Sequence, residues 1–222
     1  MSILRKFVAV SVFLLSIAFI VPLSVSASVG DEGDFFKEHI KGIEFNIPYA
    51  QSEVYIEKSD NGSIGKIKIF DNETNELLDV FEVEIENNKM IEPNINTLSS
   101  GSTILKNVSR VRYDNGLETR LRARIEVYTY GSFRQINRVL GTQWFTGSGY
   151  HTIENATADS IPDGGNYPTL SIDVLGDATI QIATSESLSA GWGAAGFSFG
   201  GSVGGTNYFR KYIELGFTYS LY

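Results

Sequence analysis

The stretch "TRLRARIEVYTYG", residues 119–131, alternates between two kinds of side chain. Successive side chains of a β-strand point to opposite faces of a sheet, so this alternation is typical of a strand buried on one face only. One face would carry the arginines Arg120, Arg122 and Arg124. The other face would carry Leu121, Ala123, Ile125 and Val127. The stretch therefore predicts a half-buried strand with a basic outer face.

Similar patterns recur through the second half of the chain. The segments "YPTLSIDVLG" (167–176) and "DATIQIATSES" (177–187) also alternate, and "DNG" at residues 114–116 separates two β-prone segments. The tripeptide is a hairpin signal, and no segment after residue 98 has the 3.6-residue period of a helix. We therefore predict an all-β fold, with residues 99–222 forming an antiparallel β-sandwich.

Residues 28–98 are predicted to form a small acidic β-meander. They contain 16 acidic residues and six lysines, whereas residues 99–222 contain ten acidic and ten basic residues. A second "DNG" at residues 60–62 and the alternating "DVFEVEIENN" (79–88) indicate three or four strands. Asp34 as N-cap and Gly42 as a stop predict one short helix over residues 35–41. The turn-rich segment 92–103 indicates a domain boundary near Leu98, or a long loop inside one domain.

Residues 1–27 have the features of a signal peptide. Arg5 and Lys6 precede an uncharged apolar run, and "VSA" at residues 25–27 fits a signal-peptidase site. We therefore expect a secreted, extracellular protein after cleavage near Ala27. The chain has no cysteine, which excludes a thiol nucleophile or a cysteine-bound zinc and favours bacterial export.

The arginine-rich region 110–138 allows two interpretations. Arg120, Arg122 and Arg124 could bind an anion or an acidic partner, such as teichoic acid or a phospholipid headgroup. Alternatively, the acidic residues 28–98 cover these arginines, and could shield the rest of the chain until they are removed. Because residues 99–222 carry no net charge, no nucleic-acid partner is expected.

The glycine-rich stretch "WGAAGFSFGGSVGGTNYF", residues 192–209, carries aromatic side chains that a flexible linker does not need. Its alternation and the turn-like "GGSVGG" at residues 200–205 predict a β-hairpin. Pore-forming toxins insert similar hairpins into membranes, and Trp192, Phe197 and Phe199 would be the inserting residues. Ordinary sandwich strands show the same alternation, so the pattern does not separate the two alternatives.

The sequence contains no recognisable catalytic constellation, and we predict that the protein is not an enzyme. Ser148 and His151 are close in sequence but lack the G-x-S-x-G motif of a nucleophile elbow. Asp159, Asp163 and Asn166 offer the oxygen ligands that Ca²⁺ prefers. Their spacing is not that of an EF-hand, and the same residue types are common in turns. Calcium is the one cofactor that the sequence suggests.

Two segments, "RLRARIEVYTYGSFRQINRVLGTQW" (120–144) and "FRKYIELGFTYSLY" (209–222), resemble an uncharacterised family of small secreted β-rich proteins of Gram-positive bacteria. The resemblance covers about residues 100–222 and implies bacterial export and a β-rich fold. We expect a non-enzymatic protein that binds an extracellular or cell-envelope partner, with membrane contact left open. The alternative is a β-hairpin pore-forming or bacteriocin-like toxin with an acidic masking segment.

Overall fold

The computed structural model describes residues 36–86, 101–185 and 189–222. Within these residues the chain forms twelve β-strands, one 3-10 turn and one short α-helix. In chain order they are β1 (Phe36–Ile40), β2 (Ile43–Ile47), β3 (Val54–Asp60), β4 (Ile64–Asp71), β5 (Leu77–Ile85), β6 (Ser102–Asp114), β7 (Leu117–Tyr130), β8 (Phe133–Thr146), β9 (Thr152–Pro162), the 3-10 turn (Asp163–Gly165), β10 (Ser171–Thr184), α1 (Ser189–Ala194), β11 (Ser198–Val203) and β12 (Thr206–Leu221).

The strands form two antiparallel sheets. The first sheet has the order β1-β2-β12-β10-β9, and β11 also pairs with β12. The second sheet has the consecutive order β3-β4-β5-β6-β7-β8. The predicted all-β fold, built from antiparallel sheets in a sandwich-like arrangement, is confirmed.

The main core combines residues from both sheets. The rings of Phe45, Phe81 and Phe217, which come from β2, β5 and β12, lie with centroids 5.0 to 6.4 Å apart. The alternation predicted for β7 is present, because Leu121 and Ala123 are fully buried while the intervening arginines remain accessible. A smaller cluster surrounds Leu117, Ala178, Ile180, Ile182, Phe197, Phe209 and Ile213.

Both predicted "DNG" hairpins and the glycine-rich hairpin are confirmed. Asn115 and Gly116 have φ values of 51° and 81° and join β6 to β7. Gly204 and Gly205, with φ values of 58° and 81°, join β11 to β12 in the same way. Two consecutive residues with positive φ match the tight turn that suits the twist of paired strands.

The short helix predicted over residues 35–41 is wrong. Phe36–Ile40 is strand β1, which pairs antiparallel with β2. Lys41 and Gly42 have φ values of 52° and 73°, so Gly42 completes a hairpin turn rather than ending a helix. Ile40 and Ile43 flank that turn and are buried in the core, and this tertiary contact outweighs the local capping signal. The proposed N-cap, Asp34, lies outside the described residues.

Strands from both sides of the predicted boundary near Leu98 pair with each other. In the second sheet β5 pairs with β6, and in the first sheet β2 pairs with β12. Residues 36–86 therefore contribute to both sheets. The boundary itself and the predicted signal peptide, residues 1–27, lie outside the described residues.

Candidate functional site

The arginine row, defined as Arg120, Arg122 and Arg124, lies on the outer face of the second sheet. The opposite face of the same strand, β7, packs in the core. Strand β6 separates β7 from the acidic strand β5. Strand β5 of the acidic part therefore lies in the same sheet as the arginine row, one strand away from it.

Two members of the arginine row are ion-paired. Arg120 Nη1 lies 2.5 Å from Glu82 Oε1, and Arg120 Nη2 lies 3.1 Å from Glu118 Oε1. Arg124 donates from Nε and Nη2 to the two carboxylate oxygens of Glu86, each at 2.7 Å. These are charge-assisted hydrogen bonds, and the Arg124 pair has the bidentate geometry that guanidinium favours.

The pKa values of the two glutamates that pair with the row, Glu82 and Glu86, follow from this pairing. Burial alone would raise the pKa of Glu82, but the hydrogen bond from Lys66 and the charge of Arg120 outweigh burial, and the pKa is lowered. The hydrogen bond from Arg124 lowers the pKa of Glu86. Both carboxylates are therefore charged at neutral pH and neutralise the arginines beside them.

Arg122 differs from its two neighbours in the row. No carboxylate of the described residues forms an ion pair with it, and its Cζ lies 3.9 Å from the centroid of the Phe145 ring on β8. Its Nε is buried and has no hydrogen-bond partner among those residues. Burial lowers the pKa of Arg122, and the nearby charge of Arg120 lowers it further, whereas the charges of Glu84, Glu82 and Glu86 partly offset this. An arginine still stays protonated at neutral pH.

A second unpaired polar atom lies on the strand next to Arg122. Ser109 of β6 stands opposite Arg122 in the β6–β7 pairing, and its Oγ is also buried without a hydrogen-bond partner in the described chain. Buried polar atoms of folded proteins rarely lack partners. A serine hydroxyl can donate and accept, and the arginine Nε–H donates. Both atoms thus have unused hydrogen-bonding capacity within the described chain.

The structure contains a buried ionic network that the sequence prediction missed. Arg110, on the inner face of β6, donates to both oxygens of the Asp79 carboxylate and from Nη1 to Gly216 O at 2.6 Å. Tyr49 Oη donates to the same carboxylate at 2.8 Å. Asp79 is 2% exposed. The sequence held a signal for this site, because Arg110 follows Val108 by two residues and so shares its inward face.

A second buried carboxylate, Asp114, lies at the end of β6. Arg112 Nε and Lys211 Nζ each lie 2.8 Å from one of its oxygens. Burial would raise the pKa of Asp114, but hydrogen bonds from these two cations outweigh burial and lower it. The two networks join β6 of the second sheet to β12 of the first, so we assign them a structural role.

The three residues predicted to insert into a membrane are not grouped on the surface. Phe197 is buried, and the half-buried Trp192 packs edge-on against it with a centroid distance of 5.4 Å. Phe199 is 61% exposed. Within the described residues, no helix has both the length and the apolar character needed to cross a membrane.

The predicted calcium ligands make local contacts. Asp159 accepts a hydrogen bond from the Ser160 N–H, and Asn166 donates to Gly164 O. Asp163 begins the 3-10 turn. Across the part of the chain that the structure describes, no three His, Cys, Asp or Glu side chains are grouped to hold a metal ion. A calcium site at Asp159, Asp163 and Asn166 stays a prediction.

Ser148 and His151 contact β7 rather than each other. Ser148 Oγ donates to Glu118 Oε2 at 3.3 Å, and His151 Nε2 lies 3.4 Å from Thr119 Oγ1. Burial lowers the pKa of His151. Both residues lie in the described chain, and no hydrogen bond joins them.

Comparisons with known proteins return no match: no protein-family model fits the chain, and neither the curated proteins nor the solved structures contain a similar one. The resemblance to secreted proteins of Gram-positive bacteria therefore stays a prediction.

Proposed function

We propose that this protein is an exported, non-enzymatic binding protein that recognises an anionic group of an extracellular or cell-envelope partner. The observation that carries the proposal is the state of Arg122, a half-buried guanidinium without an ion-pair partner in the described chain, beside the unpaired hydroxyl of Ser109. The signal-like segment at residues 1–27 supports export.

The surroundings of Arg122 favour recognition of one anionic group at close range. Arg120 and Arg124 are neutralised by their own glutamates, so the row has little excess charge to attract a polyanion from a distance. The Arg122 Cζ lies over the Phe145 ring, 3.9 Å from its centroid, and this cation–π contact helps to hold the guanidinium in place. A guanidinium held in this way offers parallel N–H groups that match a carboxylate or a phosphate.

The test measures binding of the purified protein to isolated Gram-positive cell walls, with and without their phosphate-rich teichoic acids. Arg122→Gln should weaken binding by roughly tenfold, the loss expected for one charge-assisted hydrogen bond. The matched control is Arg138→Gln on the neighbouring strand, where the arginine is exposed and pairs with Glu126 at 2.9 Å. The control should bind as the unmodified protein does.

Equal binding by Arg122→Gln and the unmodified protein, with both folded, would remove Arg122 as the recognition residue. Failure of the unmodified protein to bind either wall preparation would count against an anionic wall polymer as the partner.

The alternative function, a hairpin pore-former, draws on the exposed side chains of Phe199 and Val203. Phe199 stands opposite Phe209, whereas Val203 stands opposite Thr206. Positions 206 and 209 lie on opposite faces of β12, so the two exposed residues do not form one apolar patch. Release of dye from zwitterionic or anionic liposomes by the purified protein would favour this alternative over the binding function.

A further inference from the structure

We propose that Lys106, Arg134 and the turn between β1 and β2 form a second site, which binds a small tetrahedral oxyanion such as phosphate or sulfate. Its residues are separate from the arginine row, so it does not depend on the proposed function.

The first component is a buried, uncompensated lysine. Lys106 lies on β6 and is 8% exposed. Its Nζ donates to Lys41 O at 2.7 Å, and no carboxylate of the described chain forms an ion pair with it. An ammonium group has three donors, and a buried charge without a partner is strongly unfavourable. An anion beside Nζ would remove that penalty.

The second component is an arginine that converges with Lys106 on the same point. Arg134 Nη1 donates to a main-chain oxygen of Tyr222, the last residue of the sequence, at 2.9 Å, and no aspartate or glutamate of the described residues forms an ion pair with this guanidinium. A Cβ atom at Gly42 would stand 3.0 Å from Arg134 Nη1 and 3.6 Å from Lys106 Nζ. The two cationic groups therefore meet at the side of Gly42 where no side chain stands. The φ of +73° at Gly42 also disfavours a larger residue there.

The acidic groups near the turn already have partners. Lys41 Nζ, from the same turn, lies 2.5 Å from Asp60 Oδ1 and donates to Gly62 O. Glu44 pairs with His39 at 2.9 Å and with a lysine of β1. Neither carboxylate pairs with Lys106 or Arg134. Lys106 therefore has no acidic partner in the described chain, and the hydrogen bond that Arg134 forms on this side goes to Tyr222 O.

The chemistry of the site suits a tetrahedral oxyanion. Such an ion offers several acceptor oxygens, so it can accept from the lysine ammonium and from the arginine at the same time. Burial, and then the charges of Arg134 and Lys41, lower the pKa of Lys106 to about 8. A bound anion would raise this pKa again, because it favours the charged form. The same chemistry would bind a free ion or a phosphate ester.

The experiment follows thermal unfolding of the purified protein during a sulfate titration, with chloride holding the ionic strength constant. The unmodified protein and the control Arg138→Gln should show a saturable rise in Tm. Arg134→Gln, which alters an exposed residue, should raise the half-saturating concentration by roughly tenfold. Lys106→Met, which keeps the apolar stem, should abolish the saturable rise. If Tm instead rises without saturation and equally in all four proteins, the rise is the general stabilising effect of sulfate. That result would overturn the proposal.

Two further arms define the ligand. Sulfate keeps its charge between pH 6 and 9, so its binding should weaken as Lys106 loses its proton above pH 8. The charges that act on Lys106 are those of Arg134 and Lys41, and Tyr222 at the end of the sequence contacts Arg134 and the His39 ring. Lys106→Met therefore shows whether Lys106 causes the change. Unchanged affinity across this range would contradict a role for Lys106.

A saturable response to glycerol 1-phosphate would identify a phosphate ester as a ligand, and a response to inorganic ions alone would identify the free ion. Either result supports the site, and a response to neither overturns it.

Discussion

Arginine residues of the second sheet carry the same charge but meet three different environments. Arg110 lies in the interior, where Asp79 neutralises it. Arg120 pairs with Glu82 near the surface. Arg122 lies over an aromatic ring without an ion pair in the described chain, although nearby glutamates act on it electrostatically. Removing one partner of a buried pair is strongly destabilising, and exposed pairs contribute little. Arg110 therefore matters chiefly for stability, and Arg122 is the arginine of this set without an ion pair in the described chain.

Lys106 should make the stability of the protein increase with pH. Its ordinary pKa of 10.5 falls to about 8 in the folded protein because it is buried near two other cations. Between these values the unfolded chain binds more protons than the folded chain, so the destabilisation present below pH 8 is lost as pH rises. We expect this group to raise the free energy of unfolding by about 2 kcal/mol between pH 7 and 9.5.

Urea unfolding of the unmodified protein and of Lys106→Met across this pH range checks the expectation. The difference in the free energy of unfolding between the two proteins removes the contribution of all other titrating groups, including the tyrosines. The unmodified protein should gain stability relative to the variant as pH rises. Two parallel stability curves would show that Lys106 keeps an ordinary pKa.

At the residue scale, the alternation of side chains along each strand determines how much of the candidate site can be predicted from the sequence. Alternation alone places Arg122 on the outer face of β7 and could have placed Arg110 inside. It does not reveal that Arg122 lacks an ion pair in the described chain, since that depends on how β5 and β6 align with β7. Register between strands is set by contacts between distant residues, which a local pattern does not contain.

Strand β10 illustrates a close approach between elements that depends on one glycine. A Cβ atom at Gly176 would lie 2.7 Å from Thr157 O of β9 and 2.9 Å from Trp144 Nε1 of β8. These two atoms are hydrogen-bonded to each other at 2.7 Å. Gly176→Ala should therefore separate them and destabilise the protein by about 2 kcal/mol, a typical cost of overpacking.

Thermal or urea unfolding of Gly176→Ala measures this cost, and Gly141→Ala is the matched control. Gly141 lies in β8, and no atom stands within 4 Å of the position that a Cβ atom would take there. The control should be neutral or slightly stabilising, because alanine restricts the unfolded chain. Equal stability of the two variants would show that β8, β9 and β10 do not approach each other this closely.

The predictability of single elements depends on how local their signals are. The "DNG" turns and the alternating strands are predictable because their signals lie within a few residues. Strand β1 resembles a helix in sequence because Gly42 suits a helix end and a hairpin turn equally well. The segment forms a strand because it pairs with β2, which pairs with β12 on its other side.

Across the whole molecule, the acidic and the arginine-bearing halves are interleaved. Nine of the 21 residues of the main core cluster come from residues 36–86. The same segment supplies Asp79 to the buried Arg110 and two glutamates to the arginine row. A segment integrated in this way is a structural part of both sheets. Composition alone suggests a separate part, because charge content does not reveal which strands pair.

The most direct test of this interleaving is the folding of a fragment that begins at Ser99, compared with the chain from Ser28. Without β1 to β5 the fragment loses nearly half of the main core and leaves Arg110 without its carboxylate. We predict that the longer chain unfolds cooperatively and that the fragment shows neither a cooperative thermal transition nor a dispersed amide spectrum. A cooperatively folded fragment with dispersed amide signals would contradict the shared sandwich and would restore the acidic part as a detachable mask.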